Sequence, residues 1–149
     1  MLSLIKTNSD SSDFRSLVVA LDADLQARYG EQQSFFSQFN KLDHIHHVIV
    51  AYENNQPIGC GAFKEYELGV AEIKRMYVKP ALRGKGIAAE ILSGLEQWAK
   101  DEGFKTCILE TAIKQPEAIR LYEKSGYTRI PNYGQYIGVE ISLCMQKQL

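Results

Sequence analysis

Two long stretches of the chain repeat hydrophobic positions at helical spacing. The first follows a polar run at residues 8–13 that is rich in N-cap residues, and its pattern predicts a helix ending near Tyr29. The second predicts a helix over residues 84–102. We expect a shorter helix around Phe35 and a further one beginning near Pro116, because proline favours the first turn of a helix.

Runs of β-branched and aromatic residues, separated by turn residues, predict the strands. They cover residues 2–7, 46–53, 58–64, 71–78, 105–111, 127–130 and 138–145. A turn at residues 54–57 joins two of them in a hairpin, and Pro80 ends another because proline lacks a backbone donor. The order βααβββαβαββ predicts one α/β domain over residues 1–149, of the α+β kind, with a mixed and mostly antiparallel sheet.

Composition narrows the classes of partner. The 149 residues are 45% hydrophobic and 23% charged, with a net charge of -1, so nothing draws the chain as a whole toward nucleic acid or an anionic membrane. No segment is long and apolar enough to span a bilayer, and the first residues lack the pattern of a signal peptide. We therefore expect a cytoplasmic protein with neither nucleic acid nor membrane as partner.

Cysteine and histidine suggest no metal site. Cys60, Cys107 and Cys144 stand far apart in apolar stretches without a CxxC pair, so we expect them to be buried and reduced. His44 and His46 would share one face of a strand, but no third ligand is evident nearby. We expect no metal.

The segment Arg83-Gly84-Lys85-Gly86-Ile87-Ala88 joins the end of a strand to the start of a helix. Such a turn leaves the first helical N–H groups unpaired, and glycine lets an anion approach them closely. The helix dipole and the charges of Arg83 and Lys85 would favour that anion, and a diphosphate fits best. The alternative is a tight loop with a solvated basic rim. Neither GxxxxGKS/T nor GxGxxG occurs, so the usual nucleotide motifs are absent.

These residues carry a resemblance to a known family. The segment from Arg83 to Ala88 resembles the Q/R-x-x-G-x-G/A element of the GNAT superfamily of acyl-CoA N-acyltransferases, and residues 116–127 resemble that family's NxxAxxxYxxxGF motif. The resemblance extends from about residue 45 to residue 127 and implies the GNAT fold, with its central strands splayed apart at 71–78 and 105–111. It implies an enzyme that uses acetyl-CoA.

The resemblance also assigns the residues that would bind the donor. Coenzyme A's pyrophosphate would lie on the backbone of Arg83, Gly84, Lys85, Gly86, Ile87 and Ala88. Its pantetheine arm would run along Met76, Tyr77 and Val78 like an added strand. The family most often has asparagine where this chain has Gln115, so that contact to the arm could persist, shift or be lost.

The expected reaction is direct attack of a primary amine on the thioester. Tyr122 matches the family tyrosine that lies near the sulfur and protonates the departing thiolate. Glu72 occupies the place where several members put the general base, and alternation would put it on one face with Lys74, Met76 and Val78. Glu110 is the second carboxylate, and a water chain is the third alternative.

The acceptor amine is the least determined part of the sequence. Tyr133 and Tyr136 lie where the family closes over its acceptor, and we expect them, with Tyr29, Phe35 and Glu110, to line that site. The alternative is an ordinary hairpin loop with exposed tyrosines. A small-molecule amine is favoured over a protein lysine or N-terminus, and a silent CoA-binding sensor is the rival from another class. The acyl chain length and a homodimer stay open.

Overall fold

The computed structural model describes residues 1–30 and 45–149. Its strands are β1 (Leu2–Thr7), β2 (His47–Glu53), β3 (Gln56–Glu67), β4 (Val70–Val78), β5 (Thr106–Ala112), β6 (Thr128–Ile130) and β7 (Ser142–Gln148). Its α-helices are α1 (Ser12–Tyr29), α2 (Ile87–Asp101) and α3 (Pro116–Lys124). The helix predicted around Phe35 lies outside the described residues.

Helix α1 forms where the sequence pattern places it. The Ser11 hydroxyl caps it by accepting a hydrogen bond from the Phe14 N–H at 3.2 Å. Its apolar face is buried in one cluster with β-strand residues such as Val48 and Cys60. The members contributed by α1 are Phe14, Leu17, Val18 and Leu21. The periodicity therefore predicted both the helix and its buried face.

The described residues form two compact units. Unit 1 comprises Met1–Lys64 and Lys74–Leu95, and unit 2 comprises Glu65–Ile73 and Glu96–Leu149. In unit 1, β1 pairs antiparallel with β2, and β2 pairs antiparallel with β3, so the predicted hairpin is confirmed.

Unit 2 contains the parallel pair of the sheet. Val70–Glu72 of β4 lies beside Thr106–Ile108 of β5, and β5 and β6 each pair antiparallel with β7. The strand order is β1-β2-β3-β4-β5-β7-β6. This mixed, mostly antiparallel sheet with helices confirms the predicted fold class. The splay between β4 and β5 stays a prediction.

The predicted starts of two elements were wrong by three residues or more. Helix α2 begins at Ile87 rather than at residue 84, because Gly84 and Gly86 both have φ of 82° and cannot belong to a right-handed helix. The last strand begins at Ser142 rather than at residue 138, because turn hydrogen bonds occupy the preceding backbone. The N–H of Val139 donates to the carbonyl of Tyr136 at 3.0 Å, and the N–H of Ser142 to that of Val139 at 3.1 Å.

Candidate active site

The glycine loop, residues 83–88, follows the end of β4 in unit 1. Pro80–Leu82 forms a single 3-10 turn, in which the N–H of Leu82 donates to the carbonyl of Lys79 at 2.9 Å. Gly84 and Gly86 then take left-handed backbone angles, which an L-residue adopts only with strain. The chain thereby turns sharply before α2 begins.

The loop presents an open backbone surface. A Cβ atom built at Gly84 or Gly86 would meet no atom within 4 Å, and the three residues from 84 to 86 are exposed. Ile87 is 6% exposed and Ala88 is half-buried, so the helix start is anchored behind the loop. Because the first N–H groups of a helix have no acceptor within it, this geometry suits a diphosphate.

The Arg83 side chain bonds away from the loop that it begins. Its Nε donates to the carbonyl of Val78 at 2.8 Å, and its guanidinium lies 3.6 Å from an Asp24 carboxylate oxygen and 5.5 Å from the centre of the Tyr77 ring. Its charge thus stabilises the end of β4. The exposed Lys85 is the loop cation that is not engaged in this way.

The end of β4 is irregular. Arg75 has φ of 60°, a conformation typical of a β-bulge, so the strict alternation predicted from Glu72 to Val78 is interrupted there. Its guanidinium donates to Asp22 of α1 at 2.9 Å. The Cys60 thiol donates to the Arg75 carbonyl at 3.4 Å, and burial raises the pKa of that thiol to about 12.

Two glycines of β3 allow close approach of residues 76–78 of β4, the segment predicted to bind pantetheine. A Cβ at Gly59 would lie 2.9 Å from the Tyr77 carbonyl oxygen, and one at Gly61 would lie 2.5 Å from the Met76 sulfur. Tyr77 and Val78 are buried and Met76 is half-buried. The backbone of this strand end is therefore held against β3 at a spacing that larger residues would not permit.

Unit 2 brings the predicted base together with a predicted pocket tyrosine. Glu72 is only 3% exposed, and the Tyr133 hydroxyl donates to its Oε2 at 2.7 Å. Burial raises the pKa of Tyr133, and the charge of Glu72 raises it further. Nothing in the sequence linked these two residues.

The second carboxylate belongs to the same group. Burial raises the pKa of Tyr136, and the charges of Glu110 and Glu72 add to the effect. Glu110 also accepts a hydrogen bond from the Ser142 hydroxyl at 2.7 Å. We call Glu72, Glu110, Tyr122, Tyr133 and Tyr136 the tyrosine–carboxylate cluster.

Tyr122 is the buried tyrosine of α3. Burial raises its pKa, and the charge of Glu110 contributes, so the hydroxyl keeps its proton at neutral pH. Gln115 is the N-cap residue of the same helix, and its Oε1 lies 3.4 Å from the Thr111 hydroxyl. Helix α3 therefore positions both residues that the second motif contributes.

Sequence reasoning missed two residues that shape the cluster. The Tyr66 ring packs edge-on against Tyr133, with 5.0 Å between ring centres. The Asn132 amide donates to the carbonyls of Tyr136, Val139 and Ser142, each at 3.1 Å. Asparagine after proline indicates a turn, but no local signal shows which carbonyls its side chain will reach.

The other predicted lining residues are Tyr29 and Phe35. Tyr29 is the buried last residue of α1 in unit 1, and Phe35 lies outside the described residues. Their place at the acceptor site stays a prediction. Within residues 1–30 and 45–149, no group of three or more His, Cys, Asp or Glu side chains is arranged to hold a metal. No helix in the same ranges could cross a membrane.

One known protein family matches most of this chain. The family model described as the acetyltransferase (GNAT) family matches residues 13–127, a range that includes parts of both units. The chain belongs to the GNAT family of acetyltransferases. It is an acyltransferase, and the GNAT acyl donor is acetyl-CoA.

Individual GNAT relatives are similar over most of the chain. An IAA acetyltransferase of Azospirillum brasilense is 36% identical over 102 residues, which are 68% of this chain and 67% of that protein. An aminoalkylphosphonate N-acetyltransferase of Salmonella typhimurium is 30% identical over 117 residues, covering 74% and 76%. The crystal structure of a Klebsiella pneumoniae protein assigned as an acyl-CoA N-acyltransferase superposes with a TM-score of 0.84 at 29% identity, covering 100% of this chain and 98% of that one.

Proposed function

We propose that this chain transfers the acetyl group of acetyl-CoA to the primary amine of a small molecule by direct attack. The observation that carries the proposal is Glu72, a carboxylate that is only 3% exposed and hydrogen-bonded to Tyr133. A carboxylate is costly to bury in a purely structural role, whereas a base for an amine needs such a position.

The glycine loop is the proposed site of the pyrophosphate. Gly84, Lys85, Gly86, Ile87 and Ala88 would present backbone N–H groups to it, and Lys85 would add a positive charge. Arg83 would act indirectly, since its guanidinium bonds to the Val78 carbonyl. The pantetheine arm would pair with the backbone of Met76, Tyr77 and Val78, and Gln115 would contact it through its amide.

Glu72 would remove the proton that blocks the amine. An amine with a pKa of about 10.4 is neutral in only about one molecule in 2,500 at pH 7, which costs about 4.6 kcal/mol. A buried carboxylate within reach, directly or through one water, would accept that proton before the neutral amine attacks. Glu110 would not be the base. It would contribute charge and hydrogen bonding to the acceptor.

The remaining two tasks concern charge on oxygen and sulfur. The tetrahedral oxyanion would be stabilised by a backbone N–H at Met76 or Tyr77, next to Arg75, whose φ of 60° departs from regular strand geometry. Tyr122 would protonate the departing thiolate. Its hydroxyl carries a proton at neutral pH and is therefore available when the thiolate forms.

A small acceptor is supported by the Salmonella relative, whose substrate class is a small amine. The buried Tyr136 and half-buried Tyr133 also favour a compact acceptor over a peptide. The alternatives are a protein lysine or N-terminal acetyltransferase and a CoA-binding sensor. The free, buried cysteines at 60, 107 and 144 support a reducing compartment such as the cytoplasm. We propose one catalytic domain over residues 1–149.

The decisive experiment measures release of the CoA thiol from acetyl-CoA with a panel of aminoalkylphosphonates, polyamines, amino acids and peptides. Turnover of a small amine that Glu72→Gln lowers by about a hundredfold or more would support the proposal. The matched control is Glu67→Gln, at an exposed carboxylate at the end of β3. Faster turnover of peptides would favour the protein-directed alternative. Tight CoA binding without turnover of any amine would favour the sensor.

A further inference from the structure

The hydrogen bond between Tyr133 and Glu72 differs from a chance surface contact in its short distance and in the burial of the carboxylate. The distance of 2.7 Å is typical of a hydroxyl donating to a charged carboxylate, and Glu72 is almost fully buried. Such a bond stabilises the charged form of the acid. A general base must be charged before it can accept a proton.

The Tyr133 ring is held from two sides. Tyr66 packs edge-on at 5.0 Å between ring centres, and Tyr136 packs edge-on at 5.6 Å with an angle of 88° between the rings. Edge-to-face packing of this kind favours one ring orientation. The direction of the Tyr133 hydroxyl is therefore set by its neighbours as well as by its bond to Glu72.

The loop that carries Tyr133 is also fixed. The Asn132 side chain ties three carbonyls of this loop, and the N–H of Tyr136 donates to the carbonyl of Tyr133 at 2.9 Å. The N–H of Ile113, just after β5, donates to the carbonyl of Ile141 at 3.0 Å. Little conformational freedom remains to be lost when Tyr133 meets the carboxylate.

Glu110 lies on β5, the strand that pairs with the segment of β4 that carries Glu72. Burial raises the pKa of Tyr136 and of Cys144, and the charges of Glu110 and Glu72 raise both further. A hydroxyl that donates to a carboxylate favours its ionised form. The cation nearest to Glu72 in the sequence is Lys74, which is buried two residues further along β4.

We propose that Tyr133 is a positioning residue for the reaction, whose hydroxyl keeps Glu72 charged and correctly oriented to take the proton of the acceptor amine. This inference rests on the proposed function, because it requires Glu72 to be the base. Tyr133 was expected only to line the acceptor pocket. Its bond to Glu72 gives it a second role that acts through the carboxylate.

The first test is the pH dependence of kcat/KM for the panel amine that turns over fastest. Tyr133→Phe removes the donor but keeps the ring, so we expect the acidic limb to move to higher pH by about one to two pH units, with the KM for acetyl-CoA unchanged. Tyr127→Phe is the matched control, because it removes a similar hydrogen bond of 2.9 Å from a tyrosine to Glu96 in the same unit. Its acidic limb should not move.

The second test needs no turnover. NMR of isotope-labelled tyrosine ring carbons at neutral pH detects the hydrogen bond of the Tyr133 hydroxyl, and its signal is identified by its loss in Tyr133→Phe. Because that hydroxyl donates to Glu72 at 2.7 Å, Glu72→Gln should shift the signal of the ring carbon that carries the hydroxyl. An unchanged signal would overturn the contact itself.

The outcomes separate this inference from the proposed function. If Glu72→Gln abolishes the acidic limb while Tyr133→Phe leaves it in place, Tyr133 has no positioning role and Glu72 remains the base. If Glu72→Gln keeps the limb and most of the activity, the base assignment fails and the inference fails with it. If Tyr133→Phe shifts the acidic limb and Tyr127→Phe does not, the positioning role of Tyr133 and the base role of Glu72 are both supported.

Discussion

The glycine loop of unit 1 takes its form from six consecutive residues, whereas the tyrosine–carboxylate cluster of unit 2 draws its members from β4, β5, α3 and the loop before β7. The loop acts through backbone groups, and its glycines matter for what they lack. The cluster acts through side chains whose partners are up to 61 positions apart, as for Tyr133 and Glu72. Substitutions should therefore affect the loop through donor binding and the cluster through the chemical step.

The largest effect is expected at the cluster. Glu72→Gln keeps the size and hydrogen-bonding shape of the side chain but removes its basicity, so kcat/KM should fall by about a hundredfold to ten-thousandfold. Dissociation constants for CoA, measured by calorimetry, should stay within about twofold, since the carboxylate has no part in donor binding. If Glu72→Gln lost CoA affinity by the same factor as kcat/KM, the distinction between the two regions would fail.

Tyr122→Phe should have a smaller effect on the same step. A thiolate with a pKa near 8.5 is already a good leaving group, so losing its acid should lower kcat by about tenfold to a hundredfold. CoA binding should change little because the ring remains in place. Steady-state kinetics with the best amine gives both values, and an unchanged kcat would remove Tyr122 from the mechanism.

At the loop, the prediction is reversed. Gly84→Ala adds a methyl group where the proposed pyrophosphate lies and strains a residue with φ of 82°, so CoA should bind about ten to a hundred times more weakly. Gly69→Ala is the matched control, because Gly69 has φ of 79° and equally open surroundings in the turn between β3 and β4. Both variants should lose similar stability, but only Gly84→Ala should lose affinity.

The smallest expected effect is a difference between the two regions in how the free energy of unfolding depends on pH. Burial raises the pKa of Tyr133, so the folded state keeps a proton that the unfolded chain loses above about pH 10. Its contribution to stability is complete below that pH and is lost as the pH rises toward the folded value. Each such tyrosine lowers the free energy of unfolding by about 1.4 kcal/mol per pH unit in this range.

Urea unfolding at several pH values above about 10 measures that slope. Tyr133→Phe should reduce the slope by the share of one tyrosine, whereas Gly84→Ala should leave it unchanged because the glycine carries no titrating group. An identical slope in wild type and Tyr133→Phe would show that this tyrosine ionises equally easily in both states.

The same difference explains how far the sequence could predict the molecule. Periodicity placed α1, turn residues placed the β2–β3 hairpin, and the two glycines indicated the turn between β4 and α2, because each of these signals is local. The bond from Tyr133 to Glu72 depends on how the loop before β7 meets β4, which no local pattern encodes. The left-handed Arg75 was missed for a related reason, since no glycine marks the position and its partners are distant in sequence: its guanidinium donates to Asp22, and its carbonyl accepts from the Cys60 thiol.

The three carbonyls that Asn132 reaches have a consequence for how this protein can diverge. A single amide group spans the carbonyls of residues 136, 139 and 142, so inserting or deleting a residue between 132 and 142 would move at least one acceptor out of range. Homologues that share this asparagine bridge should vary in the side chains of the loop but keep its length. New acceptor preferences would then arise by substitution at positions such as 136, whereas Tyr133 would be kept for its bond to Glu72.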